Sequence, residues 1–322
     1  MNLKSIAVAA LSALALSVSS AVAADFPSKP VTLVVPWPAG GGSDILMRMI
    51  AQKTSEKLGQ SVVVVNQPGA GGSLALREVA DGDKSGHTFS MIATGFIAEQ
   101  YGNPNAPTLD QFKVIAFVGT DPAIMAARAD TGLKTLDDLV KKAKDEPGKL
   151  KNANDQPGGT SYVAASLMKM KLGIEYTLVP YAGSAPVVQA ILAGETQLAT
   201  PSVTDLIAQH KAGDVTILAV AGAERHFLAP DIPTFTEAGY PLVTGTVRAL
   251  VVPADTDPAA AEVLGKAVVE ALNDEDFKKT ARDGGFTITP MASEEATAFM
   301  QNLDKDMYPV LLEAGLVKVR QK

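Results

Sequence analysis

A short β-branched run closed by prolines, then a glycine-rich loop, then a helical pattern, is the feature that most constrains what this chain can fold into. Val31-Thr-Leu-Val-Val35 is such a run, ended by Pro36 and Pro38, and it reads as a buried strand. Gly40-Gly41-Gly42-Ser43 leads into Asp44–Leu58. There Ile45, Leu46, Met49 and Ile50 fall at helical spacing, Ser43 is placed to cap, and Gly59 stops the helix. Ser61–Val65 is the next strand, Gln67–Gly72 the next loop, Leu74–Val79 the next helix and Thr88–Ala93 the third strand. This βαβαβ order predicts a parallel sheet with helices packed on its faces.

After a less regular stretch at 96–112 the pattern restarts. Phe112–Arg128 is strand-like, and Thr135 opens a helix over Leu136–Lys144. Helices are expected at Thr160–Met170, Pro186–Leu192 and Asp205–Lys211, with strands at Tyr176–Pro180, Leu198–Ser202, Val215–Val220 and Val247–Val252. The tail reads as helices near 258–272, 274–282 and 293–313. The 322 residues therefore divide into two α/β lobes joined by crossing strands. One is discontinuous, 25–126 with 247–322, and the other spans 127–246. Each is a mostly parallel sheet flanked by helices.

Hydrophobic residues make up 47% of the chain and charged residues 20%, a balance that supports large cores and excludes disorder for most of its length. The net charge of −7 and a pI near 5.1 argue against a nucleic-acid partner, which calls for a basic surface. With no cysteine, thiolate chemistry, disulfides and Cys/His zinc clusters drop out, and no metal or cofactor is expected. Residues 1–24 have the three-part layout of a secretory signal. Lys4 is followed by an apolar run from Ile6 to Val18, and Ala21-Val22-Ala23 supplies small residues for cleavage near Ala23 or Ala24. The apolar run is too short for a membrane anchor. The mature protein is thus expected in the periplasm, as a monomer.

Ligands of α/β sheets sit beyond the carboxyl ends of the parallel strands. Four loops in that position share one design: Pro38–Ser43, Pro68–Ser73, Pro157–Ser161 and Ala182–Pro186. Each places glycine and a small hydroxyl at a helix start, where free N–H groups and the helix dipole favour an anion. Read singly, such a loop is an ordinary βα turn. Four together point to one carboxylate site between the lobes. The more specific motifs fail. Ile45 and Leu74 stand where G-x-G-x-x-G needs its last glycine, no Walker lysine follows, and neither Ser43 nor Ser73 lies in G-x-S-x-G. His87, His210 and His226 read as surface residues. Arg248, inside an apolar strand, is either a planar clamp for a carboxylate or half of an internal ion pair. Trp37 either walls the ligand or packs at the hinge, and Asp44 supports the first loop through the helix dipole and a capping bond.

At these residues the chain resembles the Bug-type periplasmic solute receptors of tripartite tricarboxylate transporters. The matching segments are Phe26–Pro30, Val34–Asp44, Leu58–Gly72, Val179–Pro186 and Asp231–Gly239, and the likeness runs through essentially the whole mature chain. It implies a type II, Venus-flytrap receptor without catalysis, which closes on a small carboxylate and delivers it to a membrane permease. By the same resemblance the ligand-binding residues are Pro38, Ala39, Gly41, Ser43 and Asp44, with Gly69, Ala70 and Thr94, in the first lobe. Thr160, Ser161, Tyr181 and Ser202 answer from the second. Two departures bear on specificity: Thr200–Thr204 lacks the family's frequent aspartate, with Asp205 displaced, and Arg248 stands where many members carry tryptophan. The arginine is reminiscent of the tricarboxylate-type subgroup, which implies a citrate-like di- or tricarboxylate. A receptor read by a signalling partner and a secreted α/β hydrolase using Ser43 or Ser73 are the rival classes.

Overall fold

The computed structural model describes residues 26–321, so the export signal expected at 1–24 lies outside the described residues. The chain opens with β1 (Val31–Val35), α1 (Gly42–Leu58), β2 (Val62–Asn66), α2 (Ser73–Asp81), β3 (Thr88–Ala93), α3 (Thr94–Gly102) and β4 (Phe112–Pro122). A second set follows: β5 (Ile124–Arg128), α4 (Leu136–Asp145), β6 (Lys151–Asp155), α5 (Thr160–Leu172), β7 (Thr177–Tyr181), α6 (Ser184–Ala193), β8 (Leu198–Ala199), α7 (Val203–Ala212) and β9 (Val215–Val220). The chain then returns through β10 (Gly245–Pro253) to α8 (Pro258–Asn273), α9 (Glu275–Asp283), β11 (Met291–Ala292) and α10 (Ser293–Glu313).

Two sheets result, ordered β11-β4-β10-β3-β1-β2 and β7-β6-β8-β5-β9. Both are mixed. The pairs β1–β2, β1–β3, β6–β7 and β6–β8 are parallel, as the βαβ pattern requires. Antiparallel pairs enter through β10 and β4 in the first sheet and β5 in the second. The chain crosses from one sheet to the other at Ala123 and returns ahead of Gly245, so the boundary drawn at 126/127 falls within β5 and that at 246/247 within β10.

Each sheet is covered on both faces. Leu33, Phe89 and Met91 pack on α1 and α8 through Leu46, Ile50 and Leu264, while Val34 and Ile92 face α2 and α10 through Leu76 and Met300. In the second sheet Met125 and Leu218 meet α4 and α5 through Leu139 and Met168, and Ala126 and Ile217 meet α6 and α7 through Ile191 and Leu206.

The structure corrects several expectations. Phe112–Arg128 is two strands in different sheets, split after Pro122. Thr94–Gly102, placed largely in an irregular stretch, is a helix. Residues 94–101 are all buried, so no polar face marks its period. β6 went unread because Lys151-Asn-Ala-Asn-Asp155 has no apolar run. Its Asn152 and Asn154 are fully buried yet bonded, Asn152 Nδ2 donating to Thr200 Oγ1 at 2.8 Å and Asn154 Nδ2 to the Asn152 carbonyl at 2.7 Å. β8 ends at Ala199, short of the expected Ser202. His87 and His226 are buried, not superficial: the Ser28 N–H donates to His87 Nε2 at 3.2 Å, and the Leu228 N–H to His226 Nδ1 at 3.3 Å.

Candidate functional site

All four glycine loops meet in one cleft between the sheets. They enclose an inner chamber of about 40 Å³ and an outer one of about 460 Å³. Trp37 and Asp155 line both. Pro38, Gly41, Ser43, Asp44, Thr160, Ser202 and Arg248 line the inner chamber, with Ser184 and Thr246. Gly69, Ala70 and Tyr181 line the outer one, with Glu99, Gly158 and Gly183. Three expected site residues lie elsewhere. Ala39 is exposed within the first loop and lines neither chamber, and Ser161 turns back to bond Asp155. Thr94, 4% exposed, spends its hydroxyl on the hinge, donating to the Gly245 carbonyl at 2.7 Å and accepting from the Val247 N–H at 2.9 Å. It borders a separate apolar groove of about 920 Å³ behind the crossing strands.

The first loop is held by its own lobe. α1 begins after Gly41 without a side-chain cap, so Ser43 is not the cap the sequence suggested; it lies in the first turn, and its Oγ accepts from Arg248 Nε at 3.3 Å. Asp44 braces the loop. It accepts from the Gly40 N–H at 3.0 Å and from Asn66 Nδ2 at 2.9 Å, and pairs with Arg48 at 2.9 Å. Burial works to raise its pKa, but the bonds from Arg48, Gly40 and Asn66 prevail and hold it below the ordinary carboxylate value. Asn66 Nδ2 also donates to the Trp37 carbonyl at 3.1 Å, which ties the tryptophan to the loop.

Of the two roles open to Arg248, the structure shows the internal pair. Nη1 lies 2.5 Å from Asp121 Oδ2, with both side chains almost wholly buried. The guanidinium still borders the inner chamber.

The lobes touch directly. The Gly95 N–H donates to Thr160 Oγ1 at 2.9 Å, and the Gly42 N–H donates to Asp205 Oδ1 at 3.3 Å. A Cβ at Gly95 would meet the Thr160 nitrogen at 2.7 Å, so only glycine allows this approach.

Sequence reasoning assigned no site role to three acids here. Asp155 accepts from the Ser161 N–H at 2.9 Å at the start of α5, and burial pushes its carboxyl up to about 6. Asp205 caps α7, accepting from the Ser202 N–H at 3.1 Å; burial raises it and the charge of Arg248 opposes the rise. Glu99 accepts from Ser73 Oγ at 3.1 Å and Asn103 Nδ2 at 3.0 Å, and burial raises it as well. Asp155 stood at the end of an unread strand and Glu99 in an unread helix. Asp205 was noticed, but its partner is 163 residues away. Among the described residues no group of three or more His, Cys, Asp or Glu is placed to hold a metal ion.

Two helix-flanked sheets, two crossing strands and a polar cleft lined from both sides define a two-lobed solute-binding protein. Comparison with known proteins agrees. The family model for the tripartite tricarboxylate transporter family receptor matches residues 46–316. A protein encoded in the tcbD-tcbE intergenic region of Pseudomonas sp. strain P51 is 33% identical over 261 residues, 77% of each chain. The solved periplasmic binding protein BugD superposes with a TM-score of 0.86 at 27% identity, covering 92% of this chain and 100% of that one. MatC of Rhodopseudomonas palustris, solved with bound malate, gives 0.81 at 27% identity over 91% and 100%. The chain belongs to the tripartite tricarboxylate transporter receptor family.

Proposed function

We propose that this protein is a periplasmic receptor that encloses a small carboxylate between its lobes and delivers it to the membrane permease of a tripartite tricarboxylate transporter, catalysing no reaction. The observation that carries this reading is the convergence of all four glycine loops on one interlobe cleft. A solute seated there touches both lobes, and only a ligand that contacts both favours the closed form over the open one. MatC, of the same architecture, holds malate. Residues 1–24 supply the export signal, and no helix among the described residues is long and apolar enough to cross a membrane.

The residues assigned to enclosing the solute are Trp37, Pro38, Gly41, Ser43, Asp44, Thr160, Ser202 and Arg248 around the inner chamber, with Gly69, Ala70 and Tyr181 around the outer. The protein, stripped of co-purified solute by unfolding and refolding, is screened against carboxylates by thermal shift. A ligand at 100 times its Kd adds about 2.7 kcal/mol. A selective rise in Tm is expected, and a flat profile across carboxylates overturns the reading. Uptake of that carboxylate by cells with and without the gene tests delivery: unchanged uptake removes the transport role.

A further inference from the structure

One side of the outer chamber is built from the end of the chain, where Leu316 and Lys318 line it beside Gly102 and Asn103. This segment is tied to the end of α3. The N–H groups of Lys318 and Val319 both donate to the Tyr101 carbonyl at 3.0 Å. The Arg320 guanidinium then donates to four carbonyls, those of Gln100 at 2.5 Å, Ala106 at 3.0 Å, Pro104 at 3.3 Å and Asn103 at 3.4 Å. The Gln100 and Tyr101 carbonyls belong to the last turn of α3, where a helix has no partners of its own for them and favours a cation. Lys318 is therefore fixed through its own backbone and through the residues that follow it. Its side chain stays exposed, and among the described residues its ammonium makes no ion pair or hydrogen bond. Lys318 is also the one basic residue lining the outer chamber, whose other charged residues are the acids Glu99 and Asp155. The guanidinium groups near the first loop are committed, Arg48 to Asp44 and Arg248 to Asp121.

The chain carries a net charge of −7, so its summed field repels an approaching anion. At physiological ionic strength exposed charges further away than about 8 Å are largely screened, and an arriving carboxylate responds to the groups at the mouth. An unpaired ammonium on an anchored backbone has its greatest effect there. Building on the carboxylate-receptor reading, we propose that Lys318 is the capture residue of the cleft, drawing the solute's carboxylate into the outer chamber, and that Arg320 is the positioning residue that holds Lys318 at the mouth. The choice of lysine fits a transient role. Its compact, hydrated charge on a flexible stem attracts a carboxylate without the two-point grip of a guanidinium, and so yields it to the glycine loops deeper in. A charge at the rim of a site acts on association and on its salt dependence, and little on dissociation.

The test mixes the stripped protein with succinate, glutarate, adipate or citrate in a stopped-flow instrument and follows Trp37 emission. Surface plasmon resonance replaces it for a probe that leaves the emission unchanged. For a probe that binds, Lys318→Gln should lower the association rate constant about three- to tenfold at low salt, Lys318→Glu should lower it further, and Lys318→Arg should lower it little. Dissociation should stay within about twofold, and the differences should vanish at about 1 M salt, where the screening length is about 3 Å. Arg320→Met removes the donors and keeps the stem. It should slow association as Lys318→Gln does although the ammonium is present, and the double variant should be no slower than either single one. A purely structural Arg320 would instead lower the unfolding midpoint and leave association unchanged, which overturns the positioning role. Parental association in Lys318→Gln at low salt overturns the inference and leaves the carboxylate receptor standing. A loss that persists at high salt, or that falls on dissociation, overturns it as well, because Lys318 would then be a contact of the closed site. If none of the four probes binds in calorimetric titration, the carboxylate reading fails along with the inference.

Discussion

Asp44 in the first lobe and Asp205 in the second stand at the same place, the third residue of a helix that follows a strand-to-helix turn. Each accepts a backbone N–H from just ahead of its own helix, Gly40 for Asp44 and Ser202 for Asp205. They differ in where the remaining oxygen looks. Asp44 is completed by Arg48 and Asn66 of its own lobe. Asp205 Oδ1 is completed by Gly42 of the other lobe. The first wall of the cleft is therefore built whether the lobes are together or apart. The second is satisfied only when they meet, or when water or a solute takes the place of the first.

The largest expected effect concerns the ion pair at the root of the first wall. Arg248→Ala leaves Asp121 buried without its cation, a loss of about 3–5 kcal/mol in urea unfolding. A loss below about 1 kcal/mol would mean the pair is dispensable and would return Arg248 to a purely ligand-facing role. Gly95→Ala acts on the meeting of the walls. Its Cβ, 2.7 Å from the Thr160 nitrogen, opposes closure, so solute affinity should drop about a hundredfold while the solute-free unfolding midpoint barely moves. Full affinity in that variant would show that the solute-bound form does not need this contact.

A smaller effect follows pH. Asp155 sits at about 6 when folded against an ordinary value of 3.8, so the folded form holds this proton more tightly than the unfolded one. Its contribution to stability is present below the ordinary value and is lost as pH rises from there through about 6. Solute-free thermal unfolding across that window should show this slope, and Asp155→Asn should flatten it; an identical slope in the variant would assign the titration to another group. Smallest is Thr135→Ala, which removes the bond from the Asp138 N–H at the start of α4, far from the cleft. It should cost about 1 kcal/mol in stability and leave solute affinity unchanged. A change in affinity there would mean that the second lobe does not act as a rigid body.

What the sequence made legible was what repeats locally. The β-branched run at Val31–Val35, the glycine loops and the Thr135 cap all act over a few residues, and each is where it was expected. What escaped depends on distance. α3 is buried on every side by elements far along the chain, so its sequence shows no amphipathic period. β6 is a polar strand made tolerable by Thr200, 48 residues on from Asn152. Glu99 drew no reading because nothing near it in sequence shows that Gly158 lies against it. The loops that gather the site could be read, but Glu99 and Asp155, the acids that line it, could not.

Trp37 is the chain's only tryptophan, and it stands where the lobes converge. A Cβ at Gly72 of the first lobe would lie 3.6 Å from its ring, and one at Gly183 of the second 3.9 Å. The protein thus carries its single indole fluorophore between the lobes, where their opening changes its surroundings. Its emission should shift to the red as the lobes part and water reaches the indole, so that the native chain, with no label attached, reports its own movement in real time.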